Sequence, residues 1–139
     1  MNTIKQPTFN EITTLLKNND LPHCDIKDVK LEYFYGYYSD NELEGIVGLE
    51  MYEDVALLRS LCVVSKSSGI GSKLLKHIDE IAKENKIKTL YLLTTTADKY
   101  FAKKEFSIIE KKLVPKSIKN TQEFNSICPD SAICMRKDI

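Results

Sequence analysis

Leu61-Cys62-Val63-Val64-Ser65-Lys66-Ser67-Ser68-Gly69-Ile70-Gly71-Ser72-Lys73-Leu74-Leu75 is the stretch from which the rest of the chain reads outward. Residues 61–64 are apolar and partly β-branched, which predicts the end of a strand. A short polar turn follows. Beyond it, apolar residues at 70, 74, 75, 78, 81 and 82 fall on one stripe at a period of 3.6 and predict a helix over 69–85. A strand, a glycine-containing turn and a helix together aim free backbone N–H groups and a positive helix end at an anion. Gly69 and Gly71 either make a tight turn or, lacking Cβ, let a phosphate approach the backbone. A bare Gly-x-Gly does not decide between the two.

Upstream, Thr8-Phe9-Asn10-Glu11 reads as a capping box opening a helix with Phe9, Ile12, Leu15 and Leu16 on its apolar face. Residues 23–30 are polar and irregular, with room for one short helix. The aromatic run 33–38, the stretch 43–51 and the stretch 55–64 predict three hairpin-connected strands, an antiparallel meander. Downstream, residues 89–94 read as a buried strand that a right-handed crossover makes the parallel neighbour of 55–64. Thr95 or Thr96 then caps a short helix over 97–104. A strand over 106–113, a helix over 116–124 and a last strand over 131–135 complete the chain. The fold class is α/β, one domain over 1–139 with a mixed sheet of about six to seven strands flanked by helices.

A chain of 139 residues buries roughly 68% of its unfolded surface without staples. No apolar run approaches the ~18 residues of a membrane span, and residues 1–5 carry no signal-peptide core. A cytoplasmic protein is expected, with no membrane partner. Its cysteines at 24, 62, 128 and 134 are then reduced thiols, and their spacing offers no Cys-x-x-Cys metal pair. The net charge of zero conceals an asymmetry: residues 1–60 hold five Lys/Arg and eleven Asp/Glu, whereas 61–139 hold fifteen and nine. The basic half begins at the glycine turn, as an anionic ligand there would favour. No basic-aromatic stripe accompanies it, so nucleic acid is not expected as a partner.

This order of elements resembles the GNAT superfamily of N-acetyltransferases. Lys66-Ser67-Ser68-Gly69-Ile70-Gly71 matches the spacing of that family's Arg/Gln-x-x-Gly-x-Gly/Ala motif, with Lys in first place. The segment from Ala97 through Tyr100-Phe101 to Glu105-Phe106 looks like its Ala-x-x-x-Tyr-x-x-x-Gly-Phe. Gly48-Leu49-Glu50, the run from Val55 to Leu61, the run from Tyr91 to Ala97 and the tail from Glu123 to Ala132 resemble a small subgroup found in arsenic-resistance operons. The resemblance implies acetyl-CoA as co-substrate, no metal, and direct attack of an amine on the thioester. It places the pantetheine arm on the backbone of Leu61, Cys62 and Val63. The pyrophosphate falls on the amides of Ser67, Ser68, Gly69, Ile70, Gly71 and Ser72, with Lys66 adding a point charge and Phe101 beside the cofactor.

The departures from the family pattern bear on chemistry. The turn before Gly69 is about two residues shorter than the usual proline-containing one. The frequent general-acid tyrosine falls on Phe101, which has no proton to give, and Glu105 replaces a glycine. No carboxylate stands at 57–61, which leaves Glu50 as the base candidate, a strand-edge surface charge being its other reading. Tyr100 is the remaining phenol. Its direction differs from that of position 101 by about 100 degrees, so it either packs or borders the substrate. Arg59 is the lone charge of the strand 55–64, and alternation puts Leu57, Arg59 and Leu61 on one face and Leu58, Ser60 and Cys62 on the other. The expectation is that Arg59 lies in the substrate cleft and binds a carboxylate of the acceptor. His77 reads as a boundary residue. Cys128 and Cys134 read as core thiols, with an arsenical grip as the alternative. The resemblance thus implies acetylation of a small-molecule amine, an amino-acid-like toxic compound among the acceptors, by a monomer or homodimer. The alternative is a catalytically silent acyl-CoA-binding or arsenical-sensing module.

Overall fold

The computed structural model describes residues 2–21, 23, 25–28, 30–65, 68–121, 124 and 131–139. In chain order these form β1 (Asn2–Lys5), α1 (Phe9–Asn18), β2 (Phe34–Ser39), β3 (Glu42–Tyr52), β4 (Val55–Val63), α2 (Ile70–Glu84), β5 (Thr89–Thr94), α3 (Asp98–Lys103), β6 (Ser107–Ile108), α4 (Lys116–Lys119) and β7 (Ile133–Asp138). Among the described residues, seven strands make one mixed sheet in the order β1-β2-β3-β4-β5-β7-β6. The first four are an antiparallel meander, β4 and β5 are parallel, and β7 returns antiparallel to both β5 and β6. The helix α2 supplies the long crossover that the parallel β4–β5 pair requires, since a tight hairpin can join only antiparallel neighbours.

Each sheet face buries its own apolar set. Ile70, Leu74, Leu75, Ile78 and Ala82 of α2 pack on Val47, Leu49, Ala56, Leu58, Leu90 and Leu92, with Phe101 of α3 and Phe106 closing the end. On the opposite face, Ile12 and Leu16 of α1 and Ile26 of a 3-10 turn (Ile26–Asp28) cover Phe34, Ile46 and Cys62. Ile118 of α4 and Val114 cover Leu57, Tyr91 and Cys134 farther along that face. Thr8 caps α1 as expected: its Oγ1 accepts from Glu11 N–H at 3.1 Å, while Glu11 Oε1 accepts from Thr8 N–H at 3.0 Å.

Four local expectations are corrected. The strand expected over 106–113 shrinks to Ser107–Ile108, paired only with Arg136 and Met135. Ile108 and Leu113 are 67% and 64% exposed, so the run buries no alternating face, and Lys111–Leu113 coils into a 3-10 turn. Helix α4 ends at Lys119, where the Thr121 hydroxyl donates to Ile118 C=O at 2.8 Å and competes with helical continuation. Neither Thr95 nor Thr96 caps α3: Ala97 is its N-cap with no side-chain cap bond, and Ala97 N–H donates to Thr94 Oγ1 at 2.9 Å. Strand β1 was not expected, since four residues are too few for a pattern, and β7 runs on to Asp138.

Candidate active site

Strand β4 carries the irregularity on which the site depends. Its register with β3 steps from Gly48 opposite Arg59 to Ile46 opposite Cys62, so three residues on β4 answer two on β3. Ser60 takes up the extra residue with φ of +60°, a left-handed conformation that costs a non-glycine residue roughly 1 kcal/mol or more. This bulge resets the alternation. Leu61 and Val63 turn to the α2 side with Ala56 and Leu58, while Cys62 joins the opposite face. The expected grouping of Leu57, Arg59 and Leu61 on one face therefore fails at Leu61, because strict alternation assumes no inserted residue. The parallel ladder with β5 covers only Val55, Ala56 and Leu57 opposite Thr89, Leu90 and Tyr91. From Leu58 onward the β4 edge has left β5, and its backbone groups offer a template for an added extended chain.

That edge leads to the N-terminus of α2. Gly69 is the N-cap, with φ of +80° and no atom within 4 Å of an added Cβ. No side chain caps this helix and no acidic residue occupies its first turn, so the helix end stays electropositive. The Ser68 hydroxyl donates to Ser65 C=O at 2.7 Å and folds the turn back beneath Gly69. Gly71 is glycine for another reason: a Cβ there would lie 2.5 Å from the Tyr100 hydroxyl. The Tyr100 hydroxyl thus occupies the Cβ side of Gly71. Lys104 Nζ donates to Ser72 Oγ at 2.5 Å, and a cavity of about 260 Å³ beside it is of mixed charge, with Lys76, Lys103, Lys104 and Lys137 set against Asp79 and Glu105, both of which pair with Lys137. Lys66 and Ser67 lie outside the described residues. What remains fits a diphosphate: an open approach at Gly69, a helix end with no acid in its first turn, where Ile70 N–H donates only a long 3.4 Å bond to Ser68 Oγ, and nearby lysines.

On the other face, from the β4–β5 ladder to just past its end, four side chains among the described residues form one network. Arg59 donates from Nη1 and Nη2 to Asp25 Oδ2 and Oδ1 at 2.5 and 2.8 Å, and from Nη1 to Glu50 Oε2 at 3.0 Å. The Tyr52 hydroxyl donates to Glu50 Oε1 at 2.8 Å. Burial and then Glu50 push the Tyr52 phenol well above its ordinary range, so it remains a donor. Side-chain exposure is 1% for Arg59, 0% for Asp25 and 13% for Glu50. Arg59 is therefore placed differently from the expectation. Its carboxylate partner is Asp25, and it presents almost no surface to an acceptor. A buried strand arginine demands such a partner. Asp25 was missed because eleven acidic residues precede residue 61 and no spacing singles one out.

The other candidates fall as follows. Phe101 is 6% exposed and stacks edge-on against Phe106 and Tyr100, so it is chiefly a core residue at the end of α2. Tyr100 is 37% exposed and borders α2's first turn rather than the Glu50 network. Cys62 and Cys134 are buried free thiols; burial raises both, Cys134 to about 11, which leaves them protonated and unreactive. Cys24 and Cys128 lie outside the described residues. His77 meets Tyr35 edge-on with ring centroids 4.5 Å apart. Among the described residues no group of three or more His, Cys, Asp or Glu is placed to hold a metal. Nor is any helix there long and apolar enough to cross a membrane.

A family model described as the acetyltransferase (GNAT) family matches residues 4–106. No curated protein sequence matches the chain. Among solved structures, N-acetylglutamate synthase from Neisseria gonorrhoeae, complexed with coenzyme A and N-acetyl-glutamate, superposes with a TM-score of 0.83 at 19% identity. That superposition covers 99% of this chain but 35% of the synthase, so the chain spans about a third of that protein's length. Rv2747 from Mycobacterium tuberculosis, in complex with CoA, gives a TM-score of 0.78 at 15% identity and covers 99% of both chains. An acetyltransferase of the GNAT family from Staphylococcus aureus Mu50 gives 0.78 at 17% identity, again over 99% of both. At these identities the likeness is one of fold.

Proposed function

The chain belongs to the acetyltransferase (GNAT) family, and from that premise we propose that it transfers an acetyl group from acetyl-CoA to the amine of a small molecule. The observation that carries this reading is the N-terminus of α2, without an N-cap side-chain bond or a first-turn acid, following in the chain a β4 edge that has parted from β5. The β4 backbone at Leu61, Cys62 and Val63 holds the pantetheine arm as an added strand. The amides from Ser68 to Ser72, with Lys66 and Ser67, hold the pyrophosphate. Acetyl-CoA, when bound, supplies an acetyl group activated as a thioester. Glu50 receives the acceptor's ammonium and draws off its proton. Arg59 and Tyr52 fix the carboxylate in one orientation, so the chain's share of catalysis is mainly positioning.

Coenzyme A bound to the synthase and to Rv2747 supports the choice of acyl donor. The likeness of Gly48-Leu49-Glu50, the run from Val55 to Leu61, the run from Tyr91 to Ala97 and the tail from Glu123 to Ala132 to the arsenic-resistance subgroup supports including amino-acid-like toxic compounds among the acceptors tried. Phe101, buried where the family often has a phenol, favours a second reading, a silent acyl-CoA-binding module. One assay separates the two. The protein is incubated with acetyl-CoA and a panel of amines, and products are identified by mass spectrometry alongside thiol release. Acetylated product that needs the protein supports the transferase. Acetyl-CoA binding without product from any acceptor supports the silent module.

A further inference from the structure

Resting on the transferase reading, we infer that the acceptor is a cationic amine with no carboxylate next to its reacting nitrogen. Glu50 and Tyr52 are the members of the Asp25–Arg59–Glu50–Tyr52 network that are only partly buried, and of these two Glu50 is the carboxylate. Arg59 is spent: Nη1 serves Asp25 and Glu50, Nη2 serves Asp25, and Nε donates to Ser60 Oγ at 3.2 Å. Its side chain and that of Asp25 are 1% and 0% exposed, whereas Glu50 keeps 13%. Among the described residues, two carboxylates against one guanidinium leave the network one negative charge in excess. Glu50 stands on β3 opposite Leu57, level with the last rung of the β4–β5 ladder, so this excess lies one strand away from the opening. An incoming ammonium gains from it without any rearrangement. An incoming carboxylate is repelled by Glu50 and binds Arg59 only by displacing Asp25, which would strand a buried charge. The N-acetyl-glutamate held by the gonococcal synthase makes the amino-acid alternative concrete.

The test uses acceptor pairs that differ only in the α-carboxylate: phenethylamine with phenylalanine, tyramine with tyrosine, and butylamine with norvaline. Phenylalaninamide, which has comparable bulk but no negative charge, separates charge from size. We expect kcat/KM for each amine to exceed that of its acid by about tenfold or more, a difference of about 1.4 kcal/mol. Phenylalaninamide should lie with the amine. In Glu50→Gln, whatever its absolute rate, the ratio within each pair should fall several-fold. Equal or reversed preference in the wild type, phenylalaninamide behaving like phenylalanine, or an unchanged ratio in Glu50→Gln would each overturn the inference. If no member of any pair yields product, the transferase reading on such amines fails separately. Calorimetric titration of the same pairs into CoA-saturated protein then decides charge selection alone: tighter amine binding upholds it, and equal or tighter acid binding overturns it.

Discussion

A Cβ built on Gly69 meets nothing within 4 Å, whereas one built on Gly71 lies 2.5 Å from the Tyr100 hydroxyl. Two residues apart, the same residue type answers different demands: backbone conformation at Gly69 and close approach of a phenol at Gly71. This yields a double-mutant prediction. Gly71→Ala should destabilise the protein by about 1–3 kcal/mol, the usual range for overpacking. In a Tyr100→Phe background the nearest remaining contact is the Tyr100 Cζ position at 3.6 Å. There the same change should turn neutral or stabilising, by up to about 1 kcal/mol of helix propensity. Chemical denaturation of the four proteins reads the coupling, and additivity would mean that Tyr100 does not set residue 71. The spacing Gly-x-Gly was legible in the sequence and the separate reasons were not, because Tyr100 lies 29 positions away and only the folded α3 brings it over the turn. Arg59 tells the same story. Its oddity in an apolar strand was visible, but its partner was not, since burial rather than spacing selects Asp25.

Elements with strong local codes came through well and those defined by pairing did not. Helices α1 and α2 and strands β2 to β5 lie within a residue or two of the sequence reading, because a 3.6-residue stripe, a capping box and hairpin turns are written locally. The bulge at Ser60 has no such code. It exists in the register between two strands, and it overturns the expected placement of Leu61. The capping box permits a pH prediction. Glu11's carboxyl is held below its ordinary range, first by the Thr8 backbone N–H, against opposing burial, with the Tyr38 hydroxyl helping. The folded state therefore takes up this proton less readily than the unfolded chain. Its stabilisation is fully present above the ordinary glutamate pKa of about 4.3 and is lost as pH falls through the lower folded value. Glu11 is largely solvated, so Glu11→Gln should lower stability by only about 0.5 kcal/mol near neutrality. The deficit should vanish in urea denaturation at about pH 3, and a deficit that persists there would remove the charge from the explanation.

At the scale of the whole molecule, the sheet is continuous from β1 to β6 except where β4 and β5 part after Leu57 and Tyr91. The acid-free N-terminus of α2 follows β4 on one face, and Glu50 lies one strand from the opening on the other. Topology alone brings them together, as β3, β4 and α2 follow one another in the chain and cannot be far apart. The general plan was therefore readable from the order of elements. The charge arrangement within it was not, since it depends on a segment near residue 25 that folds across the sheet from 34 positions away. The central claim is that an acyl-CoA lies along the parted β4 edge with its diphosphate on α2's first turn. Amide hydrogen exchange of the protein with and without saturating acetyl-CoA tests it most directly. The account predicts added protection concentrated at residues 58–63 and 68–73, with little change in α1, β1 and β6. Binding that protects other segments and leaves 58–63 and 68–73 unchanged would contradict it.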